Sequence, residues 1–156
     1  MSAHDLLVTP IEYLAPEKLL DGLKGAQAAE RIGKAPHTIV EIVAHLDFWQ
    51  GWFLKRCRGE GIPVPQHAAE GWPAADAEDW DRLRGSFLAG LVAVAELEGQ
   101  GAQRVEPEIE FPPMAEYTIG NVITHVAIHN AHHLGQVATL RQMQGTWPPP
   151  AGSWTW

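Results

Sequence analysis

Four of the chain's eight histidines fall within nine residues, His125, His129, His132 and His133, in the stretch His-Val-Ala-Ile-His-Asn-Ala-His-His-Leu-Gly-Gln. On a helix, at 100° per residue, these four and Gln136 share an arc of about 100°, and side chains four residues apart stand about 5–6 Å from one another at Cβ. Neutral imidazoles held at fixed separation are metal ligands, and one helical turn delivers two of them at little ordering cost. Two pairs compete, His125 with His129 and His129 with His133, and spacing does not choose between them. A catalytic metal site usually takes three protein ligands and leaves a position open, so a third must come from another element. His45 is the candidate. It lies among Val43, Ala44, Leu46 and Phe48, where an unpaired polar ring would be costly to bury. His4, His37 and His67 fall in termini or links and are set aside.

Four helical patterns are available to position these rings. Pro16 to about Glu30 carries Leu19, Leu20, Leu23, Ala26 and Gln27 at helical spacing, with Pro16 suited to a first turn. The second helix starts near Thr38, where Thr38 and Glu41 form a capping-box signature, and it stops at Arg58-Gly59-Glu60-Gly61-Ile62-Pro63. A third pattern runs from Asp76 to Leu97, with Gly99 beyond it. The fourth runs from Thr118 as N-cap to Gln144, closing on Gly145, and carries the four clustered histidines. The fold class is therefore all-α, a four-helix bundle with long connecting loops at Gly59–Pro73 and Gly99–Pro113, in a single domain over residues 1–156. Arg104-Val-Glu-Pro-Glu-Ile-Glu-Phe alternates and would make a short extended segment, which Pro107 weakens.

Composition narrows the partners. A formal net charge of −8 argues against phosphate-backbone binding, so no nucleic acid is expected. The longest apolar stretch, Phe87 to Leu97, contains Gly90 and Glu96 and falls short of a membrane span. With no basic and apolar leader pattern and a lone Cys57, a cytoplasmic location is expected.

Residues 129 to 136, His-Asn-Ala-His-His-Leu-Gly-Gln, resemble the His-x-x-His-His-x-Gly-Gln motif of DinB-like (YfiT-like) four-helix-bundle proteins. Ile39 to Leu46 is similar to that family's second-helix motif, which ends in His-Leu, and the exit Leu140 to Gly145 followed by prolines is similar to its C-terminal pattern. The resemblance implies one divalent metal ion, nickel or zinc, held by one histidine of the second helix and an i,i+4 pair of the last. On matching positions these are His45, His129 and His133, with His132 and Gln136 behind them or facing substrate. It also implies a homodimer and a small-molecule substrate. The wider superfamily includes bacillithiol S-transferases and mycothiol-dependent maleylpyruvate isomerases. A metal-dependent transferase that moves a low-molecular-weight thiol onto an electrophile is thus the leading expectation. The alternatives are a hydrolase acting through water at the metal and a non-catalytic, stress-related metal-binding module. Fold kinship does not select among them, and no catalytic residue is assigned.

The remaining motifs take structural readings. Cys57 lies three turns beyond His45, out of reach of the metal, which leaves the thiol to a separate molecule. His125 is read as a core or interface residue ahead of a hydrogen-bonding role behind the ligands, and Trp49, Trp52, Trp72 and Trp80 as core filling ahead of lining a pocket above the metal. Asp47 points away from the His45 face, Glu41 serves the capping box, and Gly135 is expected to admit a close helix neighbour. The tail Trp147-Pro-Pro-Pro-Ala-Gly-Ser-Trp-Thr-Trp is too apolar to hang free and should dock, and specificity is expected in Gly59–Pro73.

Overall fold

The computed structural model describes residues 1–153, and among these residues the regular elements are helical. They are α1 (Ala3–Leu7), α2 (Pro16–Leu20), α3 (Gly25–Ala28), α4 (Ile39–Cys57), α5 (Trp80–Ala95) and α6 (Ile119–Met143), joined by short 3₁₀ turns. The β-pairing described is one isolated antiparallel bridge, Arg104 with Thr118, which is what becomes of the expected extended segment.

The helix ends follow local chemistry. Thr38 Oγ1 accepts from Glu41 N (3.3 Å) while Thr38 N donates to Glu41 Oε2 (2.7 Å), a reciprocal cap that starts α4. Thr118 and Asn121 do the same for α6. Gly59 and Gly145, with φ of +86° and +74°, turn the chain out of α4 and α6 in the left-handed conformation that glycine adopts freely.

The long helices pack α4 against both α5 and α6, and the short α1 and α2 each touch α5 and α6. One apolar core joins them, with Val40, Val43, Leu46, Phe87, Val94, Val122 and Val137 almost fully enclosed. No helix among the described residues is long and apolar enough to cross a membrane.

Three expectations are corrected. The helix expected from Pro16 to Glu30 is two short pieces, because tertiary partners take the carbonyls that would continue it. Buried Arg141 donates to Leu19 O and to Asp21 O, and Trp80 Nε1 donates to Leu23 O (2.9 Å). Gly22, at φ +74°, turns the chain between them, with Pro150 packed so close that a side chain there would collide. Second, Ser2 and Asp5 cap an additional helix, α1, a capping box that was readable in the sequence. Third, a Cβ on Gly135 would meet nothing within 4 Å among the described residues, so close helix approach is not its role. The tail docks on its own chain through Trp147 and buried Pro149, and Trp147 lines a cavity with Tyr13 and Leu134. Trp154 and Trp156 lie outside the described residues.

Candidate metal centre

α4 and α6 bring His45, His129 and His133 together, each with one ring nitrogen in a group whose members all lie within 4.8 Å of one another. His45 is 5% exposed and His133 8% exposed. Hydrogen bonding sets the tautomers. His45 Nδ1 donates to the Gly71 carbonyl (2.6 Å), and His133 Nδ1 donates to the Gln136 side-chain oxygen (2.8 Å). Because those oxygens only accept, each ring keeps its Nε2 lone pair free.

His45 Nε2 faces His129 Nε2 at 3.1 Å. Two imidazole nitrogens bound at about 2.0–2.1 Å to one tetrahedral ion stand about 3.3 Å apart, so this pair is spaced as ligands of a single ion would be. Burial also keeps the rings neutral, as ligation requires. Desolvation pushes His45 down to about 4, against the opposing bond to Gly71, and His129 down to about 3, with His133 and His45 adding repulsion. His133 is lowered by the same burial. Three neutral nitrogens, two of them held from behind by an acceptor, form a donor set that fits zinc, nickel or another borderline divalent ion.

Of the two pairs on α6, His129 and His133 are the one whose ring nitrogens converge with His45. His125 turns to Tyr117, whose hydroxyl is 3.1 Å from its Nδ1, and to the Phe53 ring, with centroids 4.8 Å apart. His132 is exposed and meets the His133 ring edge-on at 4.9 Å. Asp47 faces α5 through Ser86 and Arg82. Cys57 ends α4, about 18 Å along the helix from His45 at 1.5 Å per residue, and burial pushes its thiol up to about 11.

Several groups at the site were not apparent in the sequence. Trp72 stacks on His45 (3.8 Å, 12°) and, with its other face, on His37 (3.7 Å, 10°). Trp72 thus meets both of its readings, packing against the core and walling the site, while His37, set aside as a link residue, is corrected: it stands at the site's mouth. A lone tryptophan in a Gly/Pro/Ala-rich link was the available signal. Gly71 carries the carbonyl that orients His45, and a Cβ there would stand 2.6 Å from Trp49 Nε1. Asn130, the residue after His129, donates its Nδ2 to buried Gln50 (3.3 Å), which donates in turn to Phe87 O (2.9 Å), linking α4, α5 and α6. Gly90 leaves the room this amide occupies.

Fold and site together define a helical protein with a three-histidine centre shared by two long helices. The family model of the DinB superfamily matches residues 16–137, and the chain belongs to that superfamily. No curated protein and no solved structure matches it significantly.

Proposed function

We propose that this protein is a metal-dependent enzyme that transfers a low-molecular-weight thiol to an electrophilic small molecule, with His45, His129 and His133 as ligands of one zinc or nickel ion. In this reading the helices form a four-helix bundle in which α1 to α3 together occupy the place of one helix. The observation that carries the reading is the convergence of three neutral imidazoles, His45 and His133 oriented by Gly71 and Gln136, in a set that leaves coordination positions open.

A divalent ion held there would supply a Lewis acid that lowers the pKa of a thiol or water reaching its open position. The chain's own residues do the holding. Gly71 and Gln136 keep the Nδ1 protons of His45 and His133 away from the centre, and Trp72 covers the His45 ring. A thiol rather than water is favoured as nucleophile by the superfamily, and it comes from outside the chain, since Cys57 is remote, half-buried and protonated at neutral pH.

The test is elemental analysis of untagged protein beside His45→Ala and His133→Ala, followed by a coupling assay with L-cysteine and 1-chloro-2,4-dinitrobenzene before and after chelation. Expected are close to one ion per chain in wild type, its loss in both variants, and chelator-sensitive coupling. A wild type that stays metal-free after reconstitution overturns the centre. A metal-replete protein that hydrolyses ester substrates but couples no thiol overturns the transferase reading.

A further inference from the structure

Three rings from three places in the chain lie nearly parallel beside the centre. His37 precedes the N-cap of α4, His45 lies within that helix, and Trp72 comes near the end of the link of residues 59–73. The indole carries the His45 ring on one face (3.8 Å, 12°) and the His37 ring on the other (3.7 Å, 10°), and it meets the His133 ring edge-on at 5.7 Å and 80°. Trp72 therefore touches two of the three histidines of the centre. His37 makes no ring contact with any of the three among the described residues, and its side chain is 36% exposed.

We propose that His37 is a positioning residue of the metal centre that acts through Trp72. This rests on the reading of His45, His129 and His133 as ligands of one ion, and not on the reaction that the ion serves. The hydrogen bond from His45 Nδ1 to Gly71 O fixes where one ring atom points, and it leaves the ring free to tilt about that direction. A flat aromatic neighbour removes the tilt, and fixing a ligand ring from behind is what raises metal affinity. The indole does this only while it is pressed against His45. It stands between Gly71 and Pro73 in a link rich in Gly, Pro and Ala, so the chain around it supplies no other ring to back it, and His37 closes its second face.

His37 is itself fastened in place. Arg31 Nη1 donates to Ala35 O (3.0 Å) and Pro36 O (2.8 Å), which fixes the backbone leading into His37. Arg31 Nη2 donates to both oxygens of Glu41 (3.1 Å each), and Glu41 Oε2 accepts from Thr38 N (2.7 Å) while lying 3.9 Å from His37 Nδ1. Each of these contacts is worth little alone at an exposed position. Together they tie the His37 ring to the same cap that starts α4, so the helix that carries His45 also carries the clamp on its indole.

The test is a double-mutant cycle on zinc affinity, read by competition with a chromophoric chelator in wild type, His37→Ala, Trp72→Ala and the pair. His37→Ala is expected to weaken zinc about three- to tenfold, the scale of one lost aromatic face, and to change it less than about twofold once Trp72 is alanine. His37→Phe keeps a flat ring that cannot take a proton, and it is expected to restore the wild-type affinity. Should Trp72→Ala melt early, Trp72→Leu replaces it in the cycle. A second readout needs no ion: in the metal-free protein the His45 Nδ1 proton, held by Gly71, should exchange with solvent faster in His37→Ala than in wild type or His37→Phe, as followed by NMR. Wild-type affinity in His37→Ala, or an equal loss in both Trp72 backgrounds, overturns the proposal. So does a loss that His37→Phe fails to restore, which would assign the effect to the charge of His37. A wild type that binds no zinc overturns the reading of the centre instead, and the His45 proton then decides by itself whether His37 holds the ring.

Discussion

The two long links look alike in sequence and do opposite work. Residues 59–73 and 99–113 are both rich in Gly and Pro, and both leave the end of a long helix. The second is a strut. Val105 and Ile109 are buried to 3% and 1% exposure, Val105 N donates to Tyr117 O (2.9 Å), and Ile119 N donates to Gln103 O (2.8 Å), so this link locks the start of α6. The first is also tied down, by Trp52 Nε1 on Pro63 O and Arg56 on Ile62 O, but it ends by aiming a carbonyl and an indole at His45. A link becomes part of a site when its backbone acceptor is set against a titratable ring. It remains scaffold when its apolar side chains fill the core.

Four substitutions or conditions would break that contrast or sharpen it. The largest effect is expected from Ile109→Ala, which empties a fully buried site of the strut and should cost about 2–5 kcal/mol of stability. Chemical denaturation measures it, and metal stoichiometry of the folded fraction should not change; weakened metal binding in that fraction would show that the strut also shapes the centre. Gly71→Val comes next. Its Cβ collides with Trp49, the carbonyl leaves His45, and metal affinity should fall about 10–100-fold by competition with a chromophoric chelator. Unchanged affinity would return the first link to scaffold.

The third expectation concerns pH in the metal-free protein. His45 and His129 have folded-state values of about 4 and about 3, below the ordinary histidine value near 6.5. The unfolded chain therefore binds more protons between those limits. Stability carried by the neutral rings is complete above about 6.5 and declines as pH falls towards 4 and 3. Melting temperature across that window should drop in wild type and drop less in His129→Leu; equal slopes would mean the rings are not buried neutral. Smallest is Cys57→Ala, at the end of α4 away from the histidines, which should cost about 1 kcal/mol and leave metal content and thiol coupling within twofold. Loss of coupling would make the nucleophile internal.

Much of this architecture was legible because its signals are local. Thr38 with Glu41, Thr118 with the proline-free run to Gln144, and the closing glycines Gly59 and Gly145 act within a turn of where they stand, and α4 and α6 begin and end there. The N-terminal region was not legible in this way. A helical pattern from Pro16 to Glu30 exists, yet Arg141, 120 residues from Asp21, withdraws the carbonyls that would extend it. Periodicity cannot report a hydrogen bond made across the chain.

The candidate site divides along the same line. Residue type and i,i+4 spacing determine that α6 presents a histidine face and that His45 lies on a buried helix, since both follow from helical geometry alone. Only tertiary packing decides that His129 and His133, rather than His129 and His125, converge with His45. It also sets His45 Nε2 3.1 Å from His129 and places Gly71, Trp72 and His37 around the rings. The contacts of His45 with Gly71 and His129 join residues 26 and 84 positions apart, and their geometry exists only once α4 and α6 share a core.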